Sequence, residues 1–274
     1  MSNRRNKKRM TELRAVILAG GKGTRLRPLT AVFPKPLVPL GNKPVLEILL
    51  RRLKACGITN VTICTGYLSE LIKAVCNDGH QYGLRIDYVH EEEPLGTAGP
   101  LSRIPNLTDP FIVMNGDLLT TLHFDRMIDF HQAQRADLTV GVFPREVRID
   151  FGVIEFGADG KFDGYREKPT YHFDVSMGVN VIALPVMKKV RPGKYLDMPD
   201  LVRTVHKTGG LVTCYREDCR WLDIGRMDDY AQAQEEFTRN EAAFLNGSSK
   251  KSNLDHRRGR IHRPSSNPVP TDPA

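Results

Sequence analysis

A chain of 274 residues is long enough for one large domain or two small ones with a buried core. With 40% hydrophobic and 26% charged residues, the composition excludes collagen, a coiled coil and disorder over the full length. The net charge of +8 sits at the ends: residues 1–9 carry +5, residues 246–274 carry +4, and the body between them has 29 basic against 30 acidic residues.

A domain that binds nucleic acid carries its charge on the folded face, so the body is not read as one. Residues 1–13 and 246–274 are read as basic disordered tails around a domain of residues 14–245. No run approaches the ~20 apolar residues of a membrane helix, and no apolar stretch follows the basic start as in a secretory signal. A cytoplasmic protein without membrane insertion is expected. The five cysteines are Cys56, Cys64, Cys76, Cys214 and Cys219. They are odd in number and form no CxxC pair, which reads as reduced structural thiols, since a zinc site needs tighter Cys/His clustering.

Along the chain, Arg14–Ala19 is a short branched apolar run before two glycines and predicts a buried parallel strand. Val45, Leu46, Leu49, Leu50 and Leu53 fall at helical spacing, with Gly57 as the stop. Strands are predicted at 61–64, 84–89, 111–114 and 137–143, with helices at 68–75 and 123–134. This alternation argues for an α/β sheet. After Pro144 the pattern changes: residues 151–156 and 161–165 flank a Gly-Ala-Asp-Gly turn and read as a hairpin. A strand at 177–184, a helix at 199–206, a strand at 211–215 and a helix at 227–237 follow.

The first candidate for chemistry is Leu18-Ala-Gly-Gly-Lys-Gly-Thr-Arg25. A glycine-rich turn after a first strand brings backbone N–H groups close to a ligand, most often phosphate. It is neither a dinucleotide fingerprint nor a Walker A loop, and alone it could be only a tight turn. Arg25 tips the reading toward phosphate, because a guanidinium can bind phosphate oxygens bidentately. In Phe33-Pro-Lys-Pro36 two prolines hold Lys35 on a stiff segment.

The two runs together, GGKGTRLRPLT and FPKPLVPLGNKP, resemble the nucleotide-binding signature of the sugar-1-phosphate nucleotidyltransferases. The resemblance extends from about Arg14 to Phe237. It implies a Rossmann-like, mostly parallel sheet flanked by helices, with a smaller β-rich sugar-binding insertion. It also implies transfer of NMP from an NTP to a sugar 1-phosphate, with release of pyrophosphate and formation of an NDP-sugar.

By the same resemblance, Leu18, Gly20, Gly21, Gly23 and Thr24 bind nucleotide. Glu91-Glu-Glu-Pro-Leu-Gly-Thr-Ala-Gly-Pro100 is by composition an acidic turn entering a short helix. In the family this segment wraps base and ribose, which implies base contacts for Glu91, Gly96 and Thr97. Its wording is most similar to the mannose-1-phosphate guanylyltransferase branch, with GDP-mannose or a related sugar as product.

Asp117, in Asn115-Gly-Asp117, follows a central strand where open α/β sheets bind ligands. A carboxylate there suits Mg²⁺ or a helix cap. The resemblance makes it a metal ligand, with Asp223 of Trp221-Leu-Asp-Ile-Gly225 as the second. It also gives Glu167 to the sugar hydroxyls and Lys168 to the sugar phosphate, and it places Asn115, Gly152 and Asn180 in the sugar pocket.

An NTP and a sugar phosphate bring about five or six negative charges together, and phosphoryl transfer needs neutralisation and positioning more than covalent help. Arg25, Lys35 and Lys168 with Mg²⁺ are expected to supply that charge. The chain stops soon after the catalytic domain, so the β-helix that many relatives append is not expected, and a homo-oligomer is left open. Two alternatives stand beside this reading. One is a uridylyl-, thymidylyl- or cytidylyltransferase acting on glucose 1-phosphate or another phosphate acceptor. The other is a non-catalytic regulatory subunit that binds NDP-sugar.

Overall fold

A computed structural model describes residues 10–245; both outer tails, 1–9 and 246–274, lie outside the described residues. In chain order the elements are β1 (Arg14–Ala19), β2 (Pro39–Leu40), β3 (Lys43–Pro44), α1 (Val45–Ala55), β4 (Asn60–Thr65), α2 (Ser69–Cys76), β5 (Arg85–His90), β6 (Phe111–Asn115), β7 (Leu118–Thr120) and α3 (Phe124–Gln134). These are followed by β8 (Leu138–Arg148), β9 (Val153–Phe156), β10 (Phe162–Arg166), β11 (Thr170–Ile182), α4 (Met198–Lys207), β12 (Val212–Tyr215), β13 (Trp221–Asp223) and α5 (Met227–Leu245).

Seven strands form the central sheet in the order β12-β8-β11-β6-β1-β4-β5. β1 runs parallel to β4 and β6, β4 to β5, and β8 to β12; β11 alone is antiparallel to its neighbours β6 and β8. The sheet is therefore mostly parallel, with helices joining its strands, as the alternation predicts. The central strands β1, β4 and β6 are buried on both faces, which is why β1 reads as an unbroken apolar run and β4 as branched and small residues without a charge.

The chain leaves β1 toward β4 and β5 on one side and later returns to place β6 on the other side. This makes a topological switch point between β1 and β6, the place where open α/β sheets bind ligands. The register brings Leu18 beside both Cys64 and Asn115, so the carboxyl ends of β1, β4 and β6 reach one edge together.

Four boundaries differ from expectation. Met10 and Leu13 are buried in the core rather than part of a tail, because they cover the end of α1 below β1. β8 and β11 run well beyond their buried halves, pairing to Thr170–Arg148 as largely exposed strands that carry the β9–β10 hairpin. The helix from Met227 continues to Leu245 through a non-helical Asn240, because Phe244 finds buried space beside Phe237. β7 and β13 were too short to show periodicity, yet they pair antiparallel, with Asp223 opposite Leu118.

Candidate active site

A cleft of about 740 Å³ opens at the carboxyl edge of the sheet. Of the residues singled out from sequence, Leu18, Gly20, Gly21, Lys35, Glu91, Gly96, Thr97, Asn115 and Asp117 line it.

The glycine loop is built around close contacts. A Cβ on Gly20 would lie 2.8 Å from Glu91 Oε1, and one on Gly66 would lie 2.9 Å from the Gly20 carbonyl oxygen. The β1 and β4 turns thus touch backbone to backbone, leaving room on the other side for a ligand. Gly23 has φ +61°, and a Cβ there would press on Lys35 and Thr30 at 3.0 Å. Thr30 Oγ1 donates to the Gly23 carbonyl at 2.7 Å, tying the loop to the proline-bracketed segment. Thr24 and Arg25 begin a short 3-10 turn anchored by the buried Leu26, which leaves the Arg25 head exposed.

Lys35 reaches from that stiff segment to the Asp117 carboxylate and forms an ion pair with it. Asp117 follows β6 directly. Its carbonyl accepts the Ile224 N–H at 3.2 Å, which fastens the two aspartate-bearing segments to each other. Trp221 holds β13 in place: its indole N–H donates to the Met177 carbonyl at 3.0 Å, and its ring packs on Phe143.

Asp223 is open to solvent as a residue, but its carboxyl group is hemmed in enough that lost hydration raises its pKa, with the charge of Asp117 adding to the rise. Lys35 and Arg25 oppose that rise, which places all four charges in one electrostatic neighbourhood. Asp117 Oδ1 is buried without a hydrogen-bond partner. An orphaned carboxylate oxygen and a second carboxylate crowded against it fit a divalent cation. The cleft lining as a whole has five carboxylates against two ammonium groups, so a triphosphate needs accompanying cations to enter.

The opposite wall is the 91–97 loop. Glu91 takes the Leu95 N–H at 3.3 Å, and burial pushes its carboxyl pKa up. Thr97 donates through both N–H and Oγ1 to Asp197 Oδ1, at 3.1 and 3.2 Å, and its hydroxyl accepts the Met198 N–H at 2.7 Å. Tyr195 donates to the other Asp197 oxygen at 2.7 Å. Tyr195 and Asp197 both line the cleft, and neither stood out in the sequence. Asp197 before Met-Pro carries only a helix N-cap signal. In the fold the Thr97 hydroxyl serves the first N–H of α4, while Asp197 holds the loop.

Of the expected sugar-side residues, Asn115 lines this cleft, whereas Gly152, Glu167, Lys168 and Asn180 do not. Gly152 lies against the Tyr165 hydroxyl at the hairpin base, Glu167 accepts the Tyr165 O–H at 2.7 Å, and Lys168 lies 4.0 Å from Glu167, both with exposed side chains. Asn180 is 4% exposed within β11, and its Oδ1 lacks a hydrogen-bond partner.

Residues 14–240 match the family described as Nucleotidyl transferase. The chain belongs to that family. It is 31% identical over 241 residues to a UTP--glucose-1-phosphate uridylyltransferase of Synechocystis sp., covering 81% of this chain and 62% of the relative. It is 32% identical over 226 residues to the mannose-1-phosphate guanylyltransferase catalytic subunit beta of Danio rerio, covering 80% and 62%. The chain thus spans less than two thirds of the length of these relatives. Among solved structures it resembles HddC from Yersinia pseudotuberculosis, determined alone and with GMP-PN, with a TM-score of 0.64 and 25% identity over 82% of this chain and 99% of that one. None of the helices among the described residues is long and apolar enough to cross a membrane.

Proposed function

We propose that this protein transfers NMP from an NTP to a sugar 1-phosphate, with GTP and a mannose-type acceptor as the preferred pair and GDP-mannose or a related NDP-sugar as product. The carrying observation is the Lys35–Asp117 ion pair in the cleft beside the glycine loop at the sheet's switch point, with Asp223 and Arg25 outside the lining but within its electrostatic reach. Charges of both signs gathered there suit a reaction whose substrates are polyanions and need a metal ion.

In this reading an oxygen of the sugar phosphate attacks the α-phosphorus in line. The bond from that phosphorus to the oxygen bridging to the β-phosphorus breaks, and its electron pair leaves with pyrophosphate. The attacking phosphate is already ionised near neutral pH, with a second pKa of about 6, so no general base is required. The glycine-loop N–H groups receive phosphate oxygens, Arg25 holds the β- and γ-phosphates, Lys35 faces the α-phosphate or leaving group, and Lys168 holds the attacking phosphate. Asp117 and Asp223 are the residues that would hold Mg²⁺. When bound, that ion neutralises phosphate charge.

Guanine is favoured by Glu91. Its carboxylate in the cleft wall is an acceptor pair matched to the N1–H and N2–H₂ donors of guanine, whereas uracil offers one ring N–H beside carbonyl oxygens. The guanylyltransferase names among the relatives and the GMP-PN complex of HddC support the same choice. The uridylyltransferase relative supports UTP as the second reading. Radiolabelled pyrophosphate exchange over a panel of four NTPs with mannose and glucose 1-phosphates decides between them. Exchange with GTP alone is expected; exchange with UTP alone overturns the base assignment. Binding of NDP-sugar with no exchange at all favours a regulatory subunit.

A further inference from the structure

Three side chains with metal-ligand chemistry meet away from the nucleotide cleft. Cys56 ends α1, His123 immediately precedes α3, and Asp125 sits in the first turn of α3. The thiol, an imidazole nitrogen and a carboxylate oxygen all lie within 4.8 Å of one another. His123 Nδ1 and Asp125 Oδ1 are 3.8 Å apart. Tetrahedral zinc with bonds of ~2.0–2.3 Å brings its ligand atoms to roughly 3.3–3.8 Å of each other, a small side-chain movement from this arrangement.

We propose that Cys56, His123 and Asp125 form a binding site for a zinc-type divalent cation. Sulfur, nitrogen and oxygen donors in one cluster suit that metal, and three protein ligands leave the fourth position to water. An independent observation points into the cluster: Asp125 Oδ1 is buried and has no hydrogen-bond partner, although the side chain as a whole is 39% exposed. A carboxylate oxygen hidden from water without a donor is costly, and a bound cation removes that cost. Burial pushes the Cys56 thiol up to about 11 and the Asp125 charge adds to the rise, while the Arg52 charge and the Phe124 and Asp125 N–H groups at the start of α3 act against it; the thiol proton leaves to solvent when metal binds. The buried Arg52 guanidinium also lies near that sulfur. Arg52 donates to the Thr121 and Leu122 carbonyls, and the Glu217 carboxylate accepts the His123 backbone N–H at 3.0 Å and pairs with Arg126. None of the three ligands lines the nucleotide cleft. The ion would staple the end of α1 to the start of α3.

Co²⁺ titration of the full chain tests the site, because a cysteine ligand gives cobalt a near-ultraviolet thiolate charge-transfer band that carboxylates cannot produce. One equivalent of Co²⁺ is expected to develop the band, and Zn²⁺ to abolish it. Cys56→Ser should remove the band, and Asp117→Ala should leave it intact. Asp125→Asn keeps the sulfur and its helix contacts, so it separates metal binding from folding. It should weaken Co²⁺ binding by at least the ~10–100-fold that losing an outer-shell partner costs. No band, a band surviving Cys56→Ser, a band lost in Asp117→Ala, or unchanged affinity in Asp125→Asn would overturn the proposal.

Discussion

Lys35 and Asp117, 82 positions apart in the chain, meet as an ion pair in which both side chains are less than one fifth exposed. One is the proposed phosphate-facing cation and the other the proposed metal holder, so each keeps the other compensated in a half-dry site. Removing either side unbalances the cleft. Lys35→Ala should lower the exchange rate by roughly 10²–10³-fold, as loss of one preorganised transition-state donor does. Asp117→Ala should abolish turnover. Circular dichroism should show both variants folded, and retained exchange in Asp117→Ala would reject its assigned role.

Asp223 and Glu91 both have pKa values raised above their ordinary 3.8 and 4.5, each first by lost hydration. A carboxyl that holds its proton more tightly when folded contributes its stability below its ordinary value. That contribution disappears as pH rises through the raised value. Asp223→Asn should therefore match the parent in urea unfolding near pH 3.5 and exceed it at pH 7 when measured without divalent ions. A variant no more stable than the parent at pH 7 would contradict the crowding of Asp223 by Asp117. The same variant should lose pyrophosphate exchange, since it no longer offers a carboxylate.

Asp197 supports the base-side loop and touches no reacting atom in the proposed mechanism. Truncating Asp197 to Ala removes the acceptor of two Thr97 donors and one from Tyr195. Net loss of about 1–2 kcal/mol in ordering that loop corresponds to roughly a tenfold rise in KM for the NTP. kcat should change far less, so steady-state kinetics distinguish a loop support from a transition-state contact.

The glycines of the first loop should separate by position. Gly20→Ala sets a methyl 2.8 Å from Glu91 Oε1, whereas at Gly21 a Cβ meets nothing within 4 Å. Gly20→Ala should push Glu91 into the cleft and weaken nucleotide binding by about tenfold or more, while Gly21→Ala leaves thermal stability unchanged. Gly66→Ala drives a methyl against the Gly20 carbonyl and should destabilise by ~1–3 kcal/mol, as overpacking does. Thermal unfolding and equilibrium NTP binding measure both effects.

Legibility along the sequence followed local physics. β1, β4 and α1 were visible because burial on two faces or on one helical stripe leaves a periodic apolar trace. The glycine loop and Lys35 were visible because positive φ, close backbone approach and proline-fixed geometry demand particular residue types. The outer half of β8 is exposed and left little trace, whereas in β11 the alternation of Tyr171, Phe173 and Val175 with polar residues is a strand signal that stayed unread beside the stronger apolar half. Tyr195 and Asp197 were silent, because their task is defined by Thr97, about a hundred positions away.

The amino-acid sequence by itself determined an α/β body, a phosphate-type loop and a family resemblance, all written in contiguous residues. Only the tertiary structure decided that Lys35, Asp117 and Asp223 share one neighbourhood, that Asp197 braces the far wall, and that Cys56 meets His123 and Asp125. The reason is the parallel sheet: each crossover returns the chain to the same edge, so residues distant in sequence become neighbours only once strand order and register are set.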